Sequence, residues 1–393
     1  MNIAVLTSGI LPVPASQGGA VENLIDFYLE FNELNKLHNI VVFSVINHKY
    51  TNTIDADKTQ TKYVIFRADK LLYRIKRKIF GFFHRNSLYY HHHIEYYLFR
   101  ALKLIKKKNF DLIILENRPG YAEKVAKLFP ETPIVLHLHN DFLSKETKKS
   151  SILKARLSSV ITVSDYIKRR TDAILPAKPS YTCYNGIDLS RFQGNGKRFE
   201  TRNQLKINED EFVVVFSGRL IPEKGVKELI MAMHQLNNSS VKLLIIGGSF
   251  FGDNAEITSY IKDLYRIAFD FRDRVIFTGY KSYDEIPEML KCADIAVVPS
   301  LWEEPFSLSC LEAMACGLPL IITNSGGMPE VVDENCAIIL EKEADFSKEI
   351  ADSVLSLLQN PEKRKRMALA AVERSKLFSK EQFASHFFSL LNS

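Results

Sequence analysis

Short apolar runs alternate with longer stretches of helical periodicity along most of the chain. In the first half the runs are Ile3–Leu6, Ile40–Ile46, Leu112–Leu115, Ile134–Leu138 and Val160–Val163. In the second half they are Phe212–Phe216, Leu243–Ile246, Val275–Phe277, Ile295–Val298 and Leu320–Ile322. Runs rich in Val, Ile and Leu with little polar alternation predict strands buried on both faces. Between them, Ala20–Leu34 has its apolar residues at helical spacing, and Ser282 with Glu285 stands at capping-box spacing. Strand–helix alternation of this kind predicts parallel sheets wrapped by helices, an α/β fold of two doubly wound, Rossmann-like domains.

The stretch NGIDLSRFQGNGKRFETRNQ, with Gly186, Gly194 and Gly196 and few apolar residues, reads as the linker between them. The division expected is 1–190 and 191–375. A closing segment, 376–393, holds a helix opened by Ser379 with Gln382 and running through Phe383 to Leu391. It is expected to cross back to the first domain.

Composition narrows the class. The 393 residues suffice for two domains, and 46% hydrophobic with 25% charged residues excludes a disordered or fibrous chain. No apolar run approaches the ~20 residues of a membrane-spanning helix. MNIAVLTSGILPVP lacks a basic leader and reads as a first strand and loop. Five cysteines, Cys183, Cys292, Cys310, Cys316 and Cys336, form no CxxC pair, which points to reduced thiols and a cytoplasmic location. The net charge of +6 is unevenly spread: residues 1–190 hold 28 Lys and Arg against 17 Asp and Glu, and the remainder 24 against 29. A basic first half is a statement about partners.

Open parallel sheets bind ligands at the carboxyl ends of their strands, so the polar residues there carry the chemistry. Phe212–Phe216 runs into SGRLIPEKG, where Gly218 allows close backbone approach and Arg219 and Lys224 place two cations suited to a diphosphate. Ile295–Val298 runs into PSLWEEPFSLSCLEAMACGLP. Pro305 keeps Glu304 extended, and the next helix begins near Phe306–Ser307–Leu308 with free backbone amides. Glu304 stands just outside that helix end and Glu312 projects from its later turns. Carboxylates there accept from sugar hydroxyls, or serve the helix dipole and the surface. Ile134–Leu138 ends in HLHND, and strand alternation puts His137 and His139 on one face.

Glu304-Pro-Phe-x₅-Glu312, followed by Ala-Met-Ala-x-Gly-x-Pro and by Gly326-Gly-x-Pro-Glu330, resembles the family 4 glycosyltransferases, which are retaining, nucleotide-sugar-dependent enzymes of the GT-B fold. Gly18–Gly19, Asn185-Gly186-Ile187-Asp188 and Gly218-Arg219 through Lys224-Gly225 extend the match over most of the chain. The resemblance implies two domains facing a cleft, the first for the acceptor and the second for the donor. It implies that Arg219 and Lys224 stabilise the departing diphosphate, that Glu304 and the amides of Phe306, Ser307 and Leu308 hold the donor sugar, and that Glu312 takes the ribose hydroxyls. Gly218, Gly18 and Gly19 would lie close to the donor, and His139, supported by His137, near the reacting sugar. The family usually has glycine where this chain has Ser307, which adds a side chain near the sugar.

The expected activity is retaining, hexosyltransferase-type transfer from a nucleotide sugar, UDP-linked, to a lipid-linked or surface glycan in cell-surface polysaccharide biosynthesis. It needs no metal and no further cofactor. Residues 70–108, where basic side chains interleave with Leu, Ile, Phe and Tyr, suit an anionic membrane at its inner face; a helical subdomain with an ordinary core is the competing reading. No nucleic-acid motif accompanies them. His91–His92–His93 has the wrong spacing for a helical metal site, and Asp55-Ala-Asp57 lies in a polar run without a strand to deliver it. A soluble carbohydrate-metabolism glycosyltransferase of the same fold, a non-catalytic sugar or nucleotide binder and, least of all, a glycosidase are the alternatives.

Overall fold

The computed structural model describes residues 1–16, 19–46, 59–68, 70–83, 92–194, 197–249 and 257–392. Gly18, His91, the side chains of His92 and His93, and Asp55–Asp57 lie outside the described residues. The chain forms two units, Met1–Gly186 with Lys380–Ser393, and Ile187–Ser379.

In the first unit seven strands form one parallel sheet: β1 (Asn2–Leu6), β2 (Asn39–Ile46), β3 (Thr61–Arg67), β4 (Leu112–Glu116), β5 (Ile134–Leu138), β6 (Ser159–Thr162) and β7 (Ser180–Thr182). Their order is β3-β2-β1-β4-β5-β6-β7. The order reverses between β1 and β4, the place where open sheets leave a crevice beyond their strand ends. Register along β4 and β5 sets Glu116 opposite His137. One face packs on the Ala20–Asn35 helix through Leu24, Ile25, Tyr28 and Leu29, all fully buried. The closing Lys380–Leu391 helix lies against the same helix, with Tyr28 stacked on Phe387 at 4.6 Å.

The second unit has six parallel strands: β8 (Phe212–Ser217), β9 (Val241–Ile246), β10 (Val275–Gly279), β11 (Ile295–Val298), β12 (Leu320–Thr323) and β13 (Ala337–Leu340). Their order is β10-β9-β8-β11-β12-β13, with the reversal between β8 and β11. Val214, Phe216, Leu243, Ile245, Ile295 and Val297 fill its core with Leu229, Ile230 and Met233 of the Val226–Leu236 helix. Among the described residues no helix is long and apolar enough to cross a membrane.

Three strands escape the periodicity reading: β3, β7 and β13. Each lies at a sheet edge. β3 and β7 carry polar residues such as Thr61, Lys62, Ser180 and Thr182 within them, whereas β13 is an unbroken apolar run and β10, also at an edge, is recovered. Glu285 bonds the backbone and hydroxyl of Ser282 at 2.8 and 2.7 Å, but the helix begins one residue after it, at Ile286.

Candidate active site

The loops after β8 and β11 meet because their strands are neighbours. Lys224 ends the 3₁₀ turn Pro222–Lys224, and its ammonium donates to Glu304 Oε1 across 80 residues of chain. Ser300 donates its hydroxyl to the same oxygen. Glu304 is 4% exposed, and its Oε2 takes no bond from any described residue. One oxygen is thus fixed and the other left available.

The loop that carries Glu304 is clamped from the β12 side. Thr323 donates to the Ser300 carbonyl at 2.7 Å, Gly327 N–H to the Glu304 carbonyl at 2.7 Å, and Gly326 N–H to Glu303 at 2.6 Å. Lys342 pairs with Glu303 at 2.6 Å. Gly326 has φ 59°, and a Cβ there would run into the Glu304 backbone. At Gly225, φ 68°, a Cβ would strike the Pro299 carbonyl, so only glycine lets the β8 loop pass this close to the end of β11.

Gly218 also serves the packing of the fold. Its carbonyl is the atom that a Cβ on Gly247 would strike, and its N–H donates to the Ile246 carbonyl at 3.0 Å. The small turns after β8 and β9 are packed backbone on backbone. Arg219, next to it, is exposed, and no described residue holds its guanidinium.

Ser307 is the N-cap of the Leu308–Ala315 helix, extended at φ −145° and ψ 98°, with its hydroxyl accepting from Cys310 N–H at 3.4 Å. A serine fits where the family has glycine because its side chain turns back onto its own helix. The first-turn N–H groups of Ser307 and Leu308 have no acceptor among the described residues. Phe306 is buried against Phe378, ring centroids 6.1 Å apart. Glu312, one turn on, is partly buried without a hydrogen bond or ion pair from any described residue, and desolvation pushes its carboxyl up to about 8. Tyr283 stands close enough to feel its charge: burial, then Glu312, raises the phenol.

In the first unit, Gly19 has φ 111° and directly precedes the Ala20–Asn35 helix; a Cβ there would press on the Glu22 carboxylate. Glu22 is 5% exposed, takes a bond from the Ser8 hydroxyl at 3.3 Å, and is pushed up to about 7 by burial. His139 is also buried. Its Nε2 lies 3.0 Å from Glu116 Oε2, His137 Nδ1 lies 3.1 Å from the same oxygen, and the Tyr28 hydroxyl donates to Oε1 at 3.0 Å.

Glu22, Glu116 and Tyr28 are absent from the sequence reading. Glu116 carried a usable signal, an acid at the carboxyl end of a buried parallel strand. The other two are polar groups on a helix face that otherwise reads as core.

Residues 37–191 match the family model described as Glycosyltransferase Family 4, and residues 197–374 the one described as Glycosyl transferases group 1. Spore coat protein SA of Bacillus subtilis strain 168 is 29% identical over 381 residues, covering 93% of this chain and 92% of that one. The putative glycosyltransferase YtcC of the same organism is 30% identical over 369 residues, 89% of this chain and 82% of the other. The Anabaena protein HepE, solved in complex with UDP, shares the fold at a TM-score of 0.75 and 22% identity over 100% of both chains. Two parallel-sheet units, the acidic strand-end loop with its capped helix, and sequence kinship along nearly the full length agree: the chain belongs to the family 4 glycosyltransferases of the GT-B fold.

Proposed function

We propose that this glycosyltransferase moves a hexose from a nucleotide sugar, UDP-linked, to a lipid-linked or surface glycan, with retention at the anomeric carbon and without a metal ion. The observation that carries the reading is Glu304: one carboxylate oxygen is tied to Lys224 and Ser300, the other takes no bond from any described residue, and the Ser307 and Leu308 amides that start the next helix have no acceptor among the described residues. That oxygen accepts from a hydroxyl of the donor sugar, while Ser307 and Leu308 N–H groups donate to its other oxygens.

Lys224 keeps two of its three ammonium hydrogens for phosphate oxygens, and the exposed Arg219 adds a fork of donors. Together they stabilise the charge that grows on the diphosphate as it leaves, the work a metal performs elsewhere. Glu312 takes the ribose diol, and His139 faces a reacting hydroxyl. UDP as the carrier is supported by HepE, which has been solved with UDP-glucose.

The acceptor reading rests on the Leu71–Phe83 helix. Leu71, Leu72, Ile75, Ile79, Phe82 and Phe83 are exposed, and at ~100° per residue they fall within an arc of roughly 120°. The opposite side is anchored by buried Tyr73 and Phe80 against Tyr96. Arg74, Lys76 and Lys78 are exposed beside the stripe. A helix with this distribution suits the interface of an anionic bilayer. In the following His92–Ile105 helix, by contrast, Tyr97, Leu98, Ala101 and Ile105 are core. Of residues 70–108, the docking face is therefore this first helix.

The test is nucleoside diphosphate release from a panel of nucleotide sugars, with a lipid-linked glycan acceptor and with or without EDTA. Acceptor-stimulated release from one donor, unchanged by EDTA, is the expected result. Release from none of the panel would contradict it.

A further inference from the structure

The carboxylate of Glu116 gathers three groups at the ends of β4 and β5. Its Oε2 lies 3.1 Å from His137 Nδ1 and 3.0 Å from His139 Nε2, and its Oε1 accepts from Tyr28 at 3.0 Å. Glu116 and His137 are fully buried and His139 is 7% exposed. An ionised carboxylate only accepts hydrogen bonds, so each of these partners must donate. That requirement sets the tautomers: a neutral His137 carries its proton on Nδ1, and a neutral His139 on Nε2. The nitrogens on the far sides, His137 Nε2 and His139 Nδ1, are buried without a hydrogen-bond partner.

The three ligating atoms lie within 4.8 Å of one another, close enough to suggest a metal ion. The far nitrogens argue otherwise. A metal would take the lone pairs on His137 Nδ1 and His139 Nε2 and force protons onto both far nitrogens, leaving two buried N–H donors unpaired. Metal-ligating histidines almost always donate that second N–H to a carboxylate, carbonyl or water. With Glu116 as the acceptor hub the far nitrogens carry lone pairs instead, and the one on His139 is free to accept.

We infer that Glu116 is a positioning residue: it holds His139 as the neutral Nε2–H tautomer, so that His139 Nδ1 meets a substrate hydroxyl as a hydrogen-bond acceptor. The inference rests on the proposed role of His139 near the reacting sugar. The ring is fixed from its backbone as well, since His139 N–H donates to Asn117 Oδ1 at 3.1 Å. His137 is held from behind by Phe387, ring centroids 4.9 Å apart. Burial pushes His139 down to about 4, which favours the neutral ring. Burial raises Glu116, but the two histidines outweigh it and hold the carboxyl at about 2, ready to accept.

Histidine-selective 15N NMR on the full chain reads the tautomer of each ring, with His139 assigned by its loss in His139→Asn. The expected spectrum at pH 7 is a neutral His139 protonated at Nε2. Glu116→Gln, which keeps the shape but replaces one acceptor by a donor, should give a mixture of tautomers. It should also weaken a nucleotide sugar about tenfold while leaving the free nucleotide unchanged, and Glu116→Asp should restore part of that loss. An Nδ1–H or imidazolium His139 at pH 7 overturns the inference. So does a shift of both histidine ring signals on adding one equivalent of zinc, which would mark a metal site. If Glu116→Gln changes the tautomer but His139→Asn binds nucleotide sugar as the native chain does, the substrate-facing role of His139 fails while the tautomer assignment stands.

Discussion

Glu312 carries a carboxyl that burial raises from 4.5 to about 8, with no partner among the described residues to offset the cost of ionising it. Because the folded-state value lies above the unfolded one, the contribution of Glu312 to stability is fully present below about pH 4.5 and is lost progressively as pH rises toward 8. Glu312→Gln removes that loss. Thermal unfolding from pH 4.5 to 8.5 should therefore show the Gln variant gaining on the native chain through this window, and a pH-independent difference would contradict the burial account.

The Lys224–Glu304 pair behaves differently, since each residue answers the other. Lys224→Met leaves a buried carboxylate with only Ser300 and should cost about 2 kcal/mol, a typical value for a hydrogen bond to a charged group. Adding Glu304→Gln should recover most of it. Denaturant unfolding of the four proteins gives the coupling, and a value near zero would mean the pair does not hold the loop. Both residues are legible in the sequence as polar groups just past strand ends. Their pairing is not, because it spans 80 residues and depends on β8 lying beside β11. Glu116 was missed for a narrower reason: the apolar run Leu112–Leu115 stops one residue before the strand does.

Interior strands are all found from their apolar runs, and so is β10 at a sheet edge; β3 and β7 mix polar residues into their runs, and β13, Ala337–Leu340, is passed over although it is wholly apolar. The Leu308–Ala315 helix was legible to the residue because Pro305 and Ser307 mark its start chemically. The Leu71–Phe83 helix was readable as amphipathic, but which side faces the protein is decided by Tyr73 and Phe80 packing on Tyr96. Its exposed stripe predicts co-sedimentation with phosphatidylglycerol vesicles and little with phosphatidylcholine. Each basic residue near such a surface adds about 1 kcal/mol. Ile75→Glu with Ile79→Glu should abolish the association without changing the folding transition. Equal binding by the variant would remove this helix as the docking face.

For the whole molecule, the two units part after Gly186, inside the glycine-rich stretch that follows Asn185. The closing segment was expected to cross back to the first domain, but its sequence, an apolar helix, does not name the seat there. Phe387 and Phe388 find that seat on Tyr28, whose hydroxyl reaches Glu116 on its other side. The closing helix and the histidine cluster therefore share a wall.

On the proposed reading, the second unit holds a nucleoside diphosphate through Glu312, with Lys224 and Arg219 on the phosphates. Calorimetric titration with UDP, GDP and ADP, repeated on Glu312→Ala, tests it most directly. Preferential binding of UDP is expected, with a loss of roughly tenfold in the variant, the scale of an ordinary hydrogen bond. Binding of none of the three, or equal UDP affinity in Glu312→Ala, would contradict it.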